Sequence, residues 1–95
     1  MKVRAHLFVE GRVQGVFFRS ETRREAMKDN VKGWVRNLPD GRVETVFEGE
    51  ESKVNNLIGF CRKGSANARV TRIDILWEDY VGEFERFEVR DGWDS

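Results

Sequence analysis

The stretch GRVQGVFFR, residues 11–19, constrains the fold of this chain more than any other. A strand disfavours interior glycine, and a helix disfavours both glycine and closely spaced β-branched residues such as Val13 and Val16. The chain must therefore turn here, and regular elements should flank the turn. Before it, Val3, Ala5, Leu7 and Val9 alternate with Arg4, His6 and Glu10, which predicts a half-buried strand with Phe8 on its second face. After it, residues 20–30 (SETRREAMKDN) predict a helix. Thr22 with Glu25 forms a candidate capping box, with a start nearer Arg19 as the alternative, and Asn30 suits the left-handed position that closes such a helix.

Farther along, GWVRNLPDGRVETVFEG predicts a hairpin. One strand runs to about Asn37, Pro39-Asp40-Gly41 makes the turn, and residues 42–48 return with Val43, Thr45 and Phe47 on one face. Val54, Leu57, Ile58 and Cys61 recur at helical spacing, Gly64 stands at the expected stop, and Gly59 costs that helix roughly 1 kcal/mol relative to alanine. A fourth strand covers residues 69–78, with Ile73, Ile75 and Trp77 in phase and Val70 out of phase, the mark of a bulge or a change of face. Phe84, Phe87 and Val89 mark a last strand. The order is βαββαβ with an extra edge near the C-terminus. This is the α+β, ferredoxin-like sandwich, an antiparallel sheet with two helices on one face. Right-handed crossovers then put the first and third strands side by side in the middle, so the glycine loop falls near the hairpin strand that carries Asn37.

Ninety-five residues suffice for one domain, residues 1–95, and not for a second core. Lys plus Arg and Asp plus Glu balance at 17 each, so no general attraction draws the chain to nucleic acid or to anionic membrane. Cys61 is the only cysteine, which excludes an internal disulfide and a cysteine-rich zinc site. The N-terminal MKVRAHLFVE lacks the unbroken apolar run of a signal peptide, and no stretch approaches the ~20 apolar residues of a membrane span. The expectation is a soluble, cytoplasmic protein.

The loop itself reads as an anion site. Gly11 and Gly15 let the backbone curl its N–H groups into a nest, and the following helix points its positive end at the same place. Arg19, at the junction, adds a planar fork that holds two phosphate oxygens at once. A nucleotide P-loop is excluded by the missing Gly-Lys-[Ser/Thr] ending. Spacing alone equally allows a tight strand-to-helix turn whose Arg19 simply reaches solvent.

GRVQGVFFR and GWVRNLPDGRVE together resemble the two signature segments of the acylphosphatase family. The first matches G-x-V-Q-G-V-x-F-R at Gly11, Val13, Gln14, Gly15, Val16, Phe18 and Arg19. The second matches G-W-V-x-N-x-x-D-G-x-V-E at Gly33, Trp34, Val35, Asn37, Asp40, Gly41, Val43 and Glu44. Thr22 and Ala26 also sit where that family's first helix has them, and the likeness spans essentially the whole chain. The resemblance implies hydrolysis of acyl phosphates to carboxylate and inorganic phosphate. Arg19 and the loop Gln14, Gly15, Val16, Phe17, Phe18 would bind the phosphate, and Asn37 would orient the attacking water. It implies a small acyl phosphate as substrate and inorganic phosphate as product, which as an inhibitor would fill the same cradle. The sequence offers no ligand cluster for a metal, and a monomer without cofactor is expected. Asn30 replaces a common glycine and Ser65 a common proline, which leaves the loop around Ser65 and Asn67 freer.

Other residues carry plainer readings. His6, opposite Val3, Ala5 and Leu7, reads as structural or surface. Cys61 reads as a small buried hydrophobe, the tryptophans (Trp34, Trp77, Trp93) as packing, and Asp40 and Glu44 as turn and strand residues. Two alternatives compete with the enzyme. One is an RNA-binding module, which would need aromatic central strands with a basic surround. The other is a non-catalytic domain that binds phosphate ligands, such as the carbamoyl-phosphate-handling domain of larger maturation proteins. The end of the chain at Ser95 favours the free enzyme.

Overall fold

The computed structural model describes residues 1–90, and Trp93 lies outside them. Its elements are β1 (Lys2–Arg12), α1 (Phe18–Lys28), β2 (Lys32–Asn37), β3 (Val43–Glu50), α2 (Glu51–Lys63), β4 (Arg69–Glu78) and β5 (Phe87–Val89). The strands form one sheet in the order β4-β1-β3-β2-β5, so the first and third strands are central, as the crossovers require. The first four strands pair antiparallel, and β5 adds a short parallel strand beside β2, making the sheet mixed at that edge.

One face of the sheet and the helices share the core. Ala5, Leu7 and Val9 from β1, Val35 from β2 and Val43 and Phe47 from β3 meet Phe18 and Ala26 of α1 and Val54, Leu57, Ile58 and Cys61 of α2. The alternation along β1 and the helical spacing of α2 both arise from this contact. Val70 reaches the same core through a bulge. Glu10 pairs with Arg72 and Gly11 with Val70, which leaves Thr71 as the extra residue on β4. Gly11 has φ 129°, and a Cβ there would lie 2.0 Å from the carbonyl oxygen of Arg69, so the bulge admits only glycine.

The capping box does not form. Phe17, not Thr22, occupies the N-terminal cap of α1 and makes no side-chain cap bond. Thr22 lies inside the helix, buried, and its hydroxyl donates to Phe18 O at 2.8 Å. The box pattern lost because α1 starts at the apolar end of the glycine loop, where burial of Phe18 fixes the first turn. The other end behaves as expected. Asn30 takes φ 56°, and the Asn30 and Val31 amides donate to Met27 O and Ala26 O, a Schellman closure.

The second face of the sheet is not bare. Residues 79–86 cross it, and the Val81 and Gly82 amides donate to the carboxylate of Glu48, which is only 2% exposed. Arg4 joins Glu48, Glu78 and Glu83 at 3.2, 2.8 and 2.7 Å. Burial alone would lower its pKa, but the hydrogen bonds to these three carboxylates outweigh burial and hold it above the ordinary arginine value. His6 sits between Glu44 and Glu78 at 2.6 and 3.0 Å, and Arg36 closes on Glu44. His6 and Glu44 are thus structural. Trp34 is buried beneath Arg36 and Arg90, whereas Trp77, at the sheet edge on β4, is 55% exposed and so does not pack as expected.

Candidate active site

Between the end of β1 and the start of α1 the backbone turns through two left-handed residues, Gly15 at φ 73° and Phe17 at φ 63°. Glycine adopts this region freely, but phenylalanine does so at a cost of order 1–3 kcal/mol. The strain is held in place from both sides. Val13, Val16 and Phe18 are buried and anchor the loop, while Ser20 Oγ and the Glu21 amide both donate to Phe17 O at 3.1 Å. The Gln14 side chain does not enter the hollow beside the loop. Its Nε2 donates to Leu38 O and Arg42 O at 2.8 and 2.9 Å, tying the loop to the hairpin that follows Asn37. From the other side, Ser65 Oγ donates to Val16 O at 3.2 Å, so the expected freedom around Ser65 ends in a buried tether.

The resulting hollow has a volume of about 320 Å³ and is lined by Val13, Gly15, Phe17, Phe18, Arg19, Ser20 and Val89. Of the expected phosphate-binding residues it brings together Gly15, Phe17, Phe18 and Arg19, with Gln14 and Val16 behind the wall. Among the described residues, no protein group accepts from the amides of residues 14–19, and Glu21 is the first amide of the helix start to find a carbonyl. These free N–H groups and the positive end of the α1 dipole favour an oxyanion. Arg19 supplies the full charge. Its Nη1 donates to Arg90 O at 3.2 Å, which steadies the guanidinium and, among the described residues, leaves most of its donors unused.

Asn37 ends β2 next to the turn held by Gln14, and it is not part of the lining of the hollow. Its Oδ1 is buried and has no hydrogen-bond partner among the described residues. A buried amide oxygen left in this state is costly, about 1–3 kcal/mol, and is satisfied at once by a water that donates to it. Asp40 is turn chemistry. It accepts from the Arg42 amide and from the Arg42 side chain at 3.0 and 2.8 Å, and these bonds lower its pKa. Cys61 is fully buried, which pushes its thiol up to about 12, so it is no nucleophile at neutral pH. Among the described residues no three His, Cys, Asp or Glu side chains gather as a metal site, and no helix is long and apolar enough to cross a membrane.

Val89, Arg90 and Ser65 complete the site and were not expected from the sequence. Arg90 acts through a backbone carbonyl, which any residue type supplies, and so leaves no signature. β5 brings it there by pairing with β2, where the Arg90 amide donates to Val35 O at 2.8 Å.

Comparison with known proteins agrees with this geometry. The family model for acylphosphatase matches residues 5–89. The chain is 53% identical over 89 residues to the acylphosphatase of Syntrophus aciditrophicus, covering 94% of this chain and 93% of that one. It is 54% identical over 88 residues to that of Thermococcus kodakarensis, covering 93% and 96%. The crystal structure of acylphosphatase from Bacillus subtilis superposes with a TM-score of 0.89 at 35% identity, covering 93% of this chain and 98% of that chain. Two long motifs in order, the strained loop they build and relatives matched over nearly their whole length have one reading: this chain belongs to the acylphosphatase family.

Proposed function

We propose that Arg19 and the free amides of residues 14–19 hold the phosphate of an acyl phosphate, while Asn37 holds the water that attacks it. The chain is a hydrolase that splits the carboxyl–phosphate bond. The oxygen of water bonds to phosphorus, the bond from phosphorus to the carboxyl oxygen breaks, and the carboxylate leaves with the electron pair. The proton shed by the water goes to the phosphate product or to solvent. A carboxylate leaves readily, so the barrier lies in placing water and in balancing charge on the phosphoryl oxygens. Arg19 and the amides serve the second need, and Asn37 Oδ1, accepting from the water, serves the first.

The observation that supports this reading is the hollow at the start of α1, lined by the steadied Arg19 and by Gly15, Phe17 and Phe18, whose amides have no partner among the described residues. The reading requires no metal, because these groups balance the charge themselves. It makes inorganic phosphate a competitive inhibitor. It also describes a cytoplasmic monomer without a nucleic-acid partner. A lone buried thiol suits a reducing compartment, and Arg69, Arg72 and Asp74 along the β4 edge discourage strand-to-strand association. On the second face Phe8 and Trp34 already carry arginines at 4.9 and 4.8 Å, interleaved with carboxylates, which is poor ground for stacking bases.

The test is phosphate release from benzoyl phosphate in the presence of chelator, with a phosphomonoester as control and inorganic phosphate as inhibitor. Hydrolysis of the acyl phosphate alone, unaffected by chelator and competitively inhibited, is expected. Loss of activity in chelator, or phosphate inhibition that does not compete with substrate, overturns this account of the site.

A further inference from the structure

A second hollow, of about 480 Å³, runs along the outer side of α1 and is lined by Phe17, Ser20, Glu21, Arg23, Arg24 and Met27. It shares Phe17 and Ser20 with the hollow beside Arg19, so the two meet at the Phe17 ring. Phe17 is 74% exposed and Met27 57% exposed, although both are large and apolar. Phe17 also keeps its ring at this junction in a strained backbone conformation, which the bonds to its carbonyl hold fixed. Strain of this kind persists where the surroundings enforce it and gathers at ligand sites.

Residues 17, 20, 24 and 27 fall one above another along a helix, giving a continuous track from the anion hollow. Helical side chains lean toward the N-terminus, so Arg23, Arg24 and Met27 tilt back toward the start of α1. The track is apolar at its two ends and cationic between them. Arg24 lies 4.0 Å from Glu21, whereas Arg23 has no carboxylate partner among the described residues.

We propose that this groove receives the acyl part of the substrate and selects acyl phosphates with a flat or apolar body that ends in a second anionic group. The inference rests on the phosphate of the substrate lying beside Arg19. With the phosphate there, the acyl carbon emerges at the shared Phe17 wall. Phe17 flanks the acyl body and Arg23 meets the distal anion about 9 Å along the axis from Phe17, six residues at 1.5 Å each, while Met27, about 15 Å from Phe17, lies beyond that anion. A groove of this kind binds substrate and transition state alike, so it acts on KM more than on kcat.

The experiment compares acetyl phosphate, benzoyl phosphate and 4-carboxybenzoyl phosphate on wild type, Arg23→Gln and Met27→Ser, with inorganic phosphate as inhibitor. Wild type should have the lowest KM for the carboxylated substrate. Arg23→Gln should erase that advantage, a rise in KM of about threefold to fivefold that shrinks in high salt. Met27→Ser, one turn beyond the reach of these substrates, should leave all three KM values unchanged and serves as the control. Neither change should alter acetyl phosphate turnover or the phosphate inhibition constant. If acetyl phosphate is hydrolysed and inhibited normally but the three substrates keep the same ratios in every variant, the groove is not an acyl site. If no acyl phosphate is hydrolysed at all, the reading of the Arg19 hollow fails first, and this inference with it.

Discussion

If Arg19 holds the phosphate and Asn37 the water, as proposed, single substitutions should separate the two tasks. Arg19→Lys keeps the charge but loses the fork, and the bond to Arg90 O no longer sets its angle. It should lower kcat/KM by about 10²-fold or more and weaken inhibition by phosphate in parallel. Near-normal kinetics in the lysine variant would reduce Arg19 to a nearby charge. Asn37→Ala should instead cut kcat on the order of 10²-fold while the phosphate inhibition constant stays nearly fixed, because the nucleophile is misplaced with the substrate still bound. A lower melting temperature with turnover retained would mean that Asn37 only braces the turn. Arg19 stood out in the sequence through its charge at the end of the glycine loop, and Asn37 only through its place in the second family motif. Arg90 and Ser65 were not legible. One acts through a carbonyl 71 residues from its partner, the other through a hydroxyl 49 residues away, and no local pattern marks either.

At the scale of elements, the glycine loop and the β2–β3 hairpin act as one unit through the Gln14 side chain. Its amide satisfies two carbonyls of the turn at once, at Leu38 and Arg42. Gln14→Ala should therefore lower stability by about 1–3 kcal/mol, the net worth of two hydrogen bonds, although Leu38 O and Arg42 O keep the Gly41 and Leu38 amides as donors. It should also reduce turnover and phosphate affinity together, since loop and turn lose their common register. Calorimetry and inhibition kinetics on one preparation check this, and unchanged kinetics would leave Gln14 a purely structural tie. The elements themselves were plain from periodicity, down to the bulge signalled by Val70. What periodicity misjudged was the capping box, since α1 starts at Phe18 as the alternative near Arg19 had it, and the surroundings of β3. Residues 43–49 are buried on both faces although Glu44 and Glu48 are charged, because a segment distant in sequence covers the second face and satisfies Glu48. Burial of that kind is set by tertiary contact, not by local pattern.

For the molecule as a whole, Glu78 and Cys61, on opposite faces of the sheet, contribute to opposite limbs of the pH range of stability, and Asp40 adds to the acid one. Hydrogen bonds from His6 and then Arg4 lower the pKa of Glu78 below its ordinary value near 4.5. The folded state thus favours the carboxylate, so this contribution is present above the unfolded pKa and is lost as pH falls through the folded one. Cys61 works in the opposite sense. Burial raises its pKa from 9.0 to about 12, so the folded state favours the neutral thiol. Its contribution is complete below about pH 9 and falls by about 1.4 kcal/mol per pH unit as the unfolded chain ionises first. Stability should therefore form a plateau between the two limbs. Thermal unfolding from about pH 3 to about pH 11 checks the plateau, and two variants assign its edges. Glu78→Gln should make the acid limb shallower and leave the alkaline one alone. Cys61→Ala should lower the melting temperature at neutral pH by leaving a small void, yet decline less steeply than wild type above pH 9. Parallel alkaline limbs in wild type and Cys61→Ala would mean that the thiol reaches water before the fold gives way, and that the α2 side of the core opens locally rather than with the whole domain.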